Sequence, residues 1–155
     1  MNSDVSLVIP TYNMSNYLVE LFDSINNSGL VDFVDEIILV NDGSTDDTLI
    51  QLQQYVSLNN KIKILNLKSN KGRFLARYYG AKEAKCNRIL FLDSRNKLQD
   101  KFVENLQKVS KLYDNVIGSV DIDISKNSFC LYWDRSHKFI FKKHYEAAKQ
   151  IIKLS

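Results

Sequence analysis

Four short polar segments of the 155-residue chain contain side chains that could bind a ligand. They span residues 10–13, 41–46, 69–73 and 93–97. Each follows an apolar or alternating run that is typical of a strand. In open α/β sheets, ligands bind beyond the carboxyl ends of the parallel strands. We therefore expect the four segments to converge at one edge of a sheet.

The first segment combines the hydroxyls of Thr11 and Tyr12 with the amide of Asn13, after Pro10, which stiffens the end of a strand. A planar base or a ribose would suit this mixture of an aromatic face and hydrogen-bonding groups. A simple strand-to-helix turn, capped by Asn13 or Ser15, explains the same residues. Both interpretations remain open from these residues alone.

The second segment places Asp42 at the end of a strand, and Gly43 permits a sharp turn after it. A carboxylate there can accept a hydrogen bond from the imide N–H of a uracil-like ring or from a ribose hydroxyl. Ser44, Thr45 and Asp46 can cap the next helix. Because capping uses these later residues, we expect the Asp42 carboxylate to be free for a ligand.

The third segment brings cations to the start of a predicted helix. Lys71, Arg73 and Arg77 surround Gly72, which allows close approach of the backbone. Arg77 follows Arg73 by four residues, so both side chains project from one helix face. Like charges on one face repel each other unless an anion lies between them or they extend into solvent. A diphosphate and a solvated face are both compatible with this arrangement.

The fourth segment begins with Asp93, directly after the most apolar of the predicted strands, and Arg95 follows two residues later. A carboxylate at this position can hold a ligand or a metal. The arginine could exclude a cation, replace one, or pair with Asp93, and Asp93 could instead cap a helix. If the two strands are neighbours, Asp93 lies beside Asp42.

Alternating strand and helix periodicity predicts a single α/β domain over residues 1–155, with a mostly parallel sheet and helices on both faces. The predicted strands are 5–9, 36–40, 61–67 and 89–92, and the predicted helices are 15–28, one from 45 or 46, 71–85 and 98–113. Three further strand-like runs (116–120, 129–133, 138–141) and a final helix (143–154) follow.

Composition limits the partners and the compartment. The net charge of +3 and the absence of a basic run argue against a nucleic-acid partner. Cys86 and Cys130 are isolated, as expected of free thiols in a reducing cytoplasm. No window of 18 uncharged apolar residues is present. We expect a cytoplasmic protein. Its final helix, apolar on one side and lysine-rich elsewhere, packs on the sheet or contacts a protein or the inner membrane surface.

In order along the chain, the four motifs resemble family 2 glycosyltransferases of the GT-A fold, a Rossmann-like α/β fold. The motifs are VSLVIPTYN (5–13), IILVNDGSTD (37–46), NKG (70–72) with Ala76, Arg77 and Gly80, and LFLDS (90–94). The resemblance implies a nucleotide-diphospho-sugar donor, usually a UDP-sugar. It also implies transfer of the sugar to a hydroxyl of a glycan or lipid-linked acceptor in cell-envelope polysaccharide synthesis.

The resemblance also assigns roles to individual residues. It places the base and ribose against Pro10, Thr11, Tyr12 and Asp42. It places the diphosphate by Arg77, with Lys71 and Gly72 in the nucleotide-sugar-binding loop that leads into the same helix. Asp93 corresponds to the first acid of the family's Asp-x-Asp element, which reaches the ribose and the metal region, so Asp93 is the one metal ligand that the resemblance suggests.

Arg95 occupies the position of the second acid of that element, the usual ligand of Mg²⁺ or Mn²⁺. A guanidinium can bind phosphate in a bidentate manner and would repel a cation. The substitution therefore favours metal-free transfer or none over metal-dependent transfer. A non-catalytic binding module that has lost its metal site is the alternative to a hexosyltransferase (EC 2.4).

The chain is short for this family, and only about 60 residues follow Asp93. The acceptor half is expected to be truncated, and the domain to be incomplete at its C-terminal end. Asp121, Asp123 and Asp134 are candidate general bases, but none matches the family's catalytic acid, so no catalytic residue is assigned. A dinucleotide-binding Rossmann enzyme is disfavoured, because no Gly-x-Gly-x-x-Gly follows the first strand.

Overall fold

The computed structural model describes residues 3–98 and 101–110, which form a parallel sheet with helices on both faces. The strands are β1 (Val5–Thr11), β2 (Glu36–Asn41), β3 (Ile62–Asn66) and β4 (Arg88–Phe91). The helices are α1 (Leu18–Asn27), α2 (Leu30–Phe33), α3 (Thr48–Leu58), α4 (Arg73–Glu83) and α5 (Phe102–Ser110).

The sheet has the order β3-β2-β1-β4, and every neighbouring pair is parallel. This arrangement confirms the predicted α/β class. All four strands have their carboxyl ends at the same edge, so the loops that follow them lie on one side of the domain. Asp42 follows β2 and Asp93 follows β4, and β1 lies between these two strands. The two strands are therefore not neighbours, as they would have to be for Asp42 and Asp93 to lie directly side by side.

Strand residues alternate between the two faces of the sheet, and both faces are buried near its centre. Leu7, Ile37 and Leu39 lie on the face covered by α1 and α3, in the larger apolar cluster. Val8 and Ile38 lie on the opposite face, in a smaller cluster under α4. Strands buried on both faces explain why the first two predicted strands are almost continuously apolar.

α4 packs on the sheet through its smallest residues. Ala76 and Gly80 are buried against β1 and β2. A Cβ atom added to Gly80 would lie 2.4 Å from Val8 Cγ1 and 2.9 Å from Val40 Cγ2, so only glycine permits this approach.

The larger apolar residues of α4, which an apolar pattern over residues 71–85 would place inward, do not form its buried face. Phe74 is 81% exposed and Tyr78 is 55% exposed. β4 is likewise not the buried strand that its apolar sequence predicts, because Ile89 and Phe91 are both exposed on the α4 face. Leu92, just after β4, is buried.

Local differences from the predicted elements concern the ends of strands and helices. β1 continues through Pro10 to Thr11. The hydrogen bonds between β1 and β4 end where the Leu92 N–H donates to the Val8 carbonyl. Pro10, which has no N–H, lies beyond the last of these hydrogen bonds and therefore interrupts none of them. α1 begins at Leu18 after an exposed Tyr17, rather than at residue 15, and the short helix α2 was not predicted.

The strand-like runs after residue 115 and the final predicted helix lie outside the described residues. None of the helices in the described ranges, 3–98 and 101–110, has the length and apolar character needed to cross a bilayer.

Candidate functional site

A cleft of about 410 Å³ opens at the carboxyl edge of the sheet, within the size range of small-molecule sites. Its lining includes residues of all four polar segments, the third of which contributes Arg73 at the start of α4. The lining residues are Pro10, Thr11, Tyr12, Met14, Asp42, Arg73, Ala76, Asp93, Ser94, Arg95 and Asn96.

Six of the nine predicted site residues line this cleft: Pro10, Thr11, Tyr12, Asp42, Asp93 and Arg95. The other three are not among the lining residues but contact its carboxylates: the Lys71 and Gly72 N–H groups bond Asp42, and Arg77 pairs with Asp93. Arg73 also lines the cleft. The resemblance assigns it no role, but its spacing of four residues from Arg77 already placed both side chains on one helix face.

The turn after β2 packs directly on the loop before α4. Gly43 has a φ of +66°, and a Cβ atom there would lie 2.5 Å from the backbone carbonyl carbon of Ser69. A side chain at this position would therefore require a shift of the backbone as well as a strained conformation. Gly43 thus allows the second and third polar segments to meet.

Hydrogen bonds also connect the 43–48 loop to the turn after β1. Asn13 adopts a φ of +50°, and its side-chain oxygen accepts a hydrogen bond from the Thr45 N–H at 2.9 Å. The Asp46 carboxylate accepts the N–H groups of Ser15 and Thr48. Partial burial opposes ionisation of Asp46, but hydrogen bonds from the side chains and then the N–H groups of Thr48 and Ser15 outweigh it and lower its pKa to about 2.

The predicted caps of the first two long helices are therefore only partly correct. Neither Ser15 nor Asn13 caps α1, whose N-cap is Tyr17 and has no side-chain capping bond. Asp46 does bond the first backbone N–H of α3, as the sequence suggests. The residues of these two loops mainly bind each other and fix the cleft wall.

Asp42 is a buried structural acceptor as well as a lining residue. It is only 3% exposed, and its two carboxylate oxygens accept the N–H groups of Lys71 at 2.7 Å and Gly72 at 2.9 Å. The expectation that this carboxylate is free is wrong, because the backbone of the third segment folds over it. Its contact with a base or ribose stays a prediction.

Residues of the first segment contribute differently to the cleft. The Thr11 hydroxyl donates to the Val40 carbonyl at 3.1 Å, so its proton is used inside the sheet. Tyr12 is 42% exposed and presents an aromatic side chain at the cleft. The predicted stacking or hydrogen bonding of a base here therefore depends on Tyr12 more than on the Thr11 hydroxyl.

Asp93 lies between the two arginines of α4. Its Oδ2 atom is 3.7 Å from Arg73 Nη1 and 3.7 Å from Arg77 Nη2. These separations exceed hydrogen-bond length, so the contacts are electrostatic and leave the guanidinium N–H groups available. The carboxylate explains how α4 carries two like charges on one face.

Arg95 is bound to Asp93 through its backbone rather than its side chain. The Asp93 Oδ1 atom accepts the Arg95 N–H at 3.2 Å, and the Asp93 carbonyl accepts the Asn96 N–H at 2.9 Å. This tight turn leaves the exposed Arg95 side chain at the cleft lining. The ion pairs of Asp93 are thus with Arg73 and Arg77, whereas a pair with Arg95 was one of the three alternatives that the sequence left open.

The cleft does not suit the Mg²⁺ or Mn²⁺ ion that the resemblance implies. At phosphate-binding sites Mg²⁺ is usually held by one or two free carboxylates together with phosphate oxygens and waters, at about 2.0–2.1 Å. Asp93 faces two guanidiniums, and Asp42 is occupied by backbone N–H groups. Within residues 3–98 and 101–110, no group of three or more His, Cys, Asp or Glu residues could hold a metal.

Comparison with known proteins assigns the chain to a family. The model of the family described as glycosyl transferase family 2 matches residues 6–153. Glycosyltransferase GlyG from Streptococcus pneumoniae is 32% identical over 135 residues, which cover 85% of this chain and 44% of GlyG. Minor teichoic acid biosynthesis protein GgaB from Bacillus subtilis is 33% identical over 79% of this chain and 14% of GgaB.

Solved structures agree with the sequence comparison. The crystal structure of residues 1–349 of TarS from S. aureus in complex with UDP superposes with a TM-score of 0.59 and 28% identity. The match covers 72% of this chain and 32% of that TarS chain. The chain therefore spans less than half the length of each of these relatives. The matched family model and the parallel sheet with its cleft lead to one conclusion: the chain belongs to glycosyl transferase family 2 and has the GT-A fold.

Proposed function

We propose that this chain binds a nucleotide-diphospho-sugar, with UDP as the nucleotide, in the cleft at the carboxyl edge of the sheet. It would form the donor-binding part of a glycosyltransferase that acts in cell-envelope polysaccharide synthesis. The acceptor would be a hydroxyl of a glycan or of a lipid-linked precursor. TarS structures in complex with UDP and UDP-GlcNAc support the donor, and the teichoic acid role in the name of GgaB supports the pathway class.

The observation that carries this proposal is the combination of an exposed aromatic side chain and arginines within one cleft. Tyr12, Arg73 and Arg95 all line this cleft. An aromatic face suits a planar base, and guanidiniums suit the oxygens of a diphosphate. A nucleoside diphosphate contains both groups in one molecule, which makes it the ligand class that uses the whole cleft.

The transfer itself requires three events. The acceptor hydroxyl oxygen forms a bond to the anomeric carbon of the sugar, and the bond from that carbon to the diphosphate oxygen breaks. The hydroxyl proton passes to a general base, and the nucleoside diphosphate leaves with the bonding electron pair. Positive charge next to the diphosphate stabilises the negative charge that develops on the leaving group.

The general base is not among the carboxylates of the cleft lining in the described part of the chain. Asp42 holds two backbone N–H groups and Asp93 faces two arginines, so neither is placed to accept an acceptor proton. The candidates Asp121, Asp123 and Asp134 lie outside the described residues and stay predictions.

A non-catalytic nucleotide-binding module is the second candidate function. The observation that favours it is Arg95, which stands where the family usually has a second acid, together with the lack of an assigned base. In that case the cleft would still bind the nucleotide, but no sugar would be transferred. Turnover of UDP-GlcNAc, measured as release of UDP, distinguishes the two functions once binding is established.

The donor proposal can be tested by isothermal titration of the full 155-residue chain with UDP, GDP, CDP and UDP-GlcNAc. We expect UDP and UDP-GlcNAc to bind, and Arg77→Gln to weaken UDP about 10-fold or more, because charge-assisted contacts contribute about 1.5–3 kcal/mol. Lys82→Gln is the matched control, since it removes a charge from an exposed position of the same helix. No binding of any nucleotide to folded protein would refute the proposal.

A cytoplasmic location is part of the proposal, and it is supported by the intracellular chemistry expected for free thiols such as Cys86. Contact with a membrane surface or a protein through the predicted helix over residues 143–154 stays a prediction. Vesicle co-sedimentation with anionic lipids would measure it directly.

A further inference from the structure

The mismatch between this cleft and a divalent metal suggests how the diphosphate is held. We propose that Arg73, Arg77 and Arg95 take the place of the metal ion and bind the diphosphate of the donor directly, so that nucleotide binding is independent of divalent cations. The inference rests on the proposed function, because it concerns how the same cleft binds the same ligand.

The charge balance around Asp93 supports this assignment. Two guanidiniums contact its Oδ2 atom, and a third belongs to the cleft-lining residue two positions later. The three guanidiniums and the Asp93 carboxylate sum to a formal charge of +2, and Asp42, the other carboxylate of the lining, lowers it to +1. That net charge repels a divalent cation and attracts a diphosphate, so the preference of the site is opposite to that of a pair of acids.

The geometry leaves the arginines free to bind phosphate. Each Arg–Asp93 separation is 3.7 Å, whereas a charge-assisted hydrogen bond is about 2.7–2.9 Å long. The Nη groups are therefore not consumed by Asp93. The carboxylate keeps the two like-charged side chains together in the free protein, and phosphate oxygens can then form the short bidentate contacts that the carboxylate does not.

Arg73 and Arg95 approach the ligand from different elements. Arg73 is the first residue of α4, and its side chain is 79% exposed. Arg95 follows the turn after β4, and the Asp93 carboxylate anchors its backbone. The diphosphate would therefore be clamped between a helix and a loop. Asp93 acts as a positioning residue for all three arginines rather than as a metal ligand.

The decisive measurement is titration of the wild-type chain with UDP in EDTA and again in excess MnCl₂. We expect dissociation constants that differ by less than about 2-fold. UMP should bind at least about 10-fold more weakly than UDP, because it lacks the second phosphate that the arginines contact. Electron paramagnetic resonance of Mn²⁺ in the presence of UDP should show no protein-dependent loss of the free-ion signal.

Single variants distinguish specific binding by the arginines from a general effect of positive charge. In EDTA, Arg73→Gln and Arg77→Gln should each weaken UDP about 10-fold or more, while Lys82→Gln should not. Arg77→Lys keeps the charge but loses bidentate binding, and an intermediate loss is expected. Arg95→Asp restores a second acid and should make UDP binding respond to Mn²⁺.

The possible outcomes distinguish this inference from the proposed function. Binding of UDP only when Mn²⁺ is present would overturn the arginine assignment and leave the donor proposal intact. An undiminished affinity in EDTA for both Arg73→Gln and Arg77→Gln would also overturn it. Failure of folded wild-type protein to bind UDP in either buffer would refute the donor proposal itself. Equal binding in EDTA and MnCl₂, lost in the arginine variants, supports both.

Discussion

Asp42→Asn tests whether Asp42 organises the cleft or only contacts its ligand. In the wild type, one carboxylate oxygen accepts the Lys71 N–H at 2.7 Å and the other accepts the Gly72 N–H at 2.9 Å. An asparagine keeps one acceptor but turns an NH₂ group toward the second N–H. One of the two contacts therefore becomes donor against donor, and the other hydrogen bond is kept but loses its charge assistance.

The expected cost follows from the burial of this residue. Asp42 is 3% exposed, so water cannot easily replace the lost acceptor. Losing a hydrogen bond to a charged group costs about 1.5–3 kcal/mol, and the Gly72 N–H keeps a second acceptor, the Asn70 Oδ1 atom, at 3.0 Å. We therefore expect Asp42→Asn to lower the free energy of unfolding by about 1.5–3 kcal/mol in the absence of any nucleotide.

Urea unfolding followed by circular dichroism measures this change, with the slope of the transition checked against the wild type. Asp23→Asn is a suitable control, because Asp23 is exposed in the middle of α1 and should change stability by less than about 0.5 kcal/mol. If Asp42→Asn leaves stability unchanged and still abolishes UDP binding, the carboxylate is free for the ligand and our account of it is wrong.

Two further predictions concern packing and pH. Gly80→Ala should destabilise the protein by about 1–3 kcal/mol in thermal unfolding, since its Cβ atom would overlap Val8 Cγ1. Adding Val8→Ala should restore part of this loss. A stabilised Gly80→Ala would contradict this packing. Asp46 has a pKa of about 2 in the folded protein and about 3.9 in the unfolded chain. Between these pH values the unfolded state binds more protons, so the free energy of unfolding falls as the pH drops from about 4 to 2. Asp46→Asn should flatten that fall in acid-unfolding curves, and an unchanged slope would exclude a contribution from this carboxylate.

Periodicity was sufficient to predict the α/β class and the parallel sheet, because the central strands are buried on both faces and their apolar runs are unambiguous. It did not identify the buried face of α4. The large apolar residues Phe74 and Tyr78 are exposed, and the contact with the sheet is made by Ala76 and Gly80. Close packing there depends on the absence of a side chain, which a search for apolar stripes does not detect.

The residues of the cleft were largely predictable, but their partners were not. Strand ends bring polar segments to one edge whatever the strand order, and six predicted residues line the cleft. The occupation of Asp42 by the backbone of Lys71 and Gly72 depends on how two loops fold over each other. The pairing of Asp93 with Arg73 rather than Arg95 likewise depends on the position of α4, which lies outside the reach of local sequence patterns.

Mapping of the binding surface tests the central claim most directly. Backbone amide spectra of the ¹⁵N-labelled chain, recorded during a UDP titration, report which residues sense the nucleotide. Our account predicts that the largest shift changes occur at Tyr12, at the Arg73 end of α4 and around Arg95. Saturable changes that instead centre on a different surface, or no changes in a well-folded sample, would contradict it.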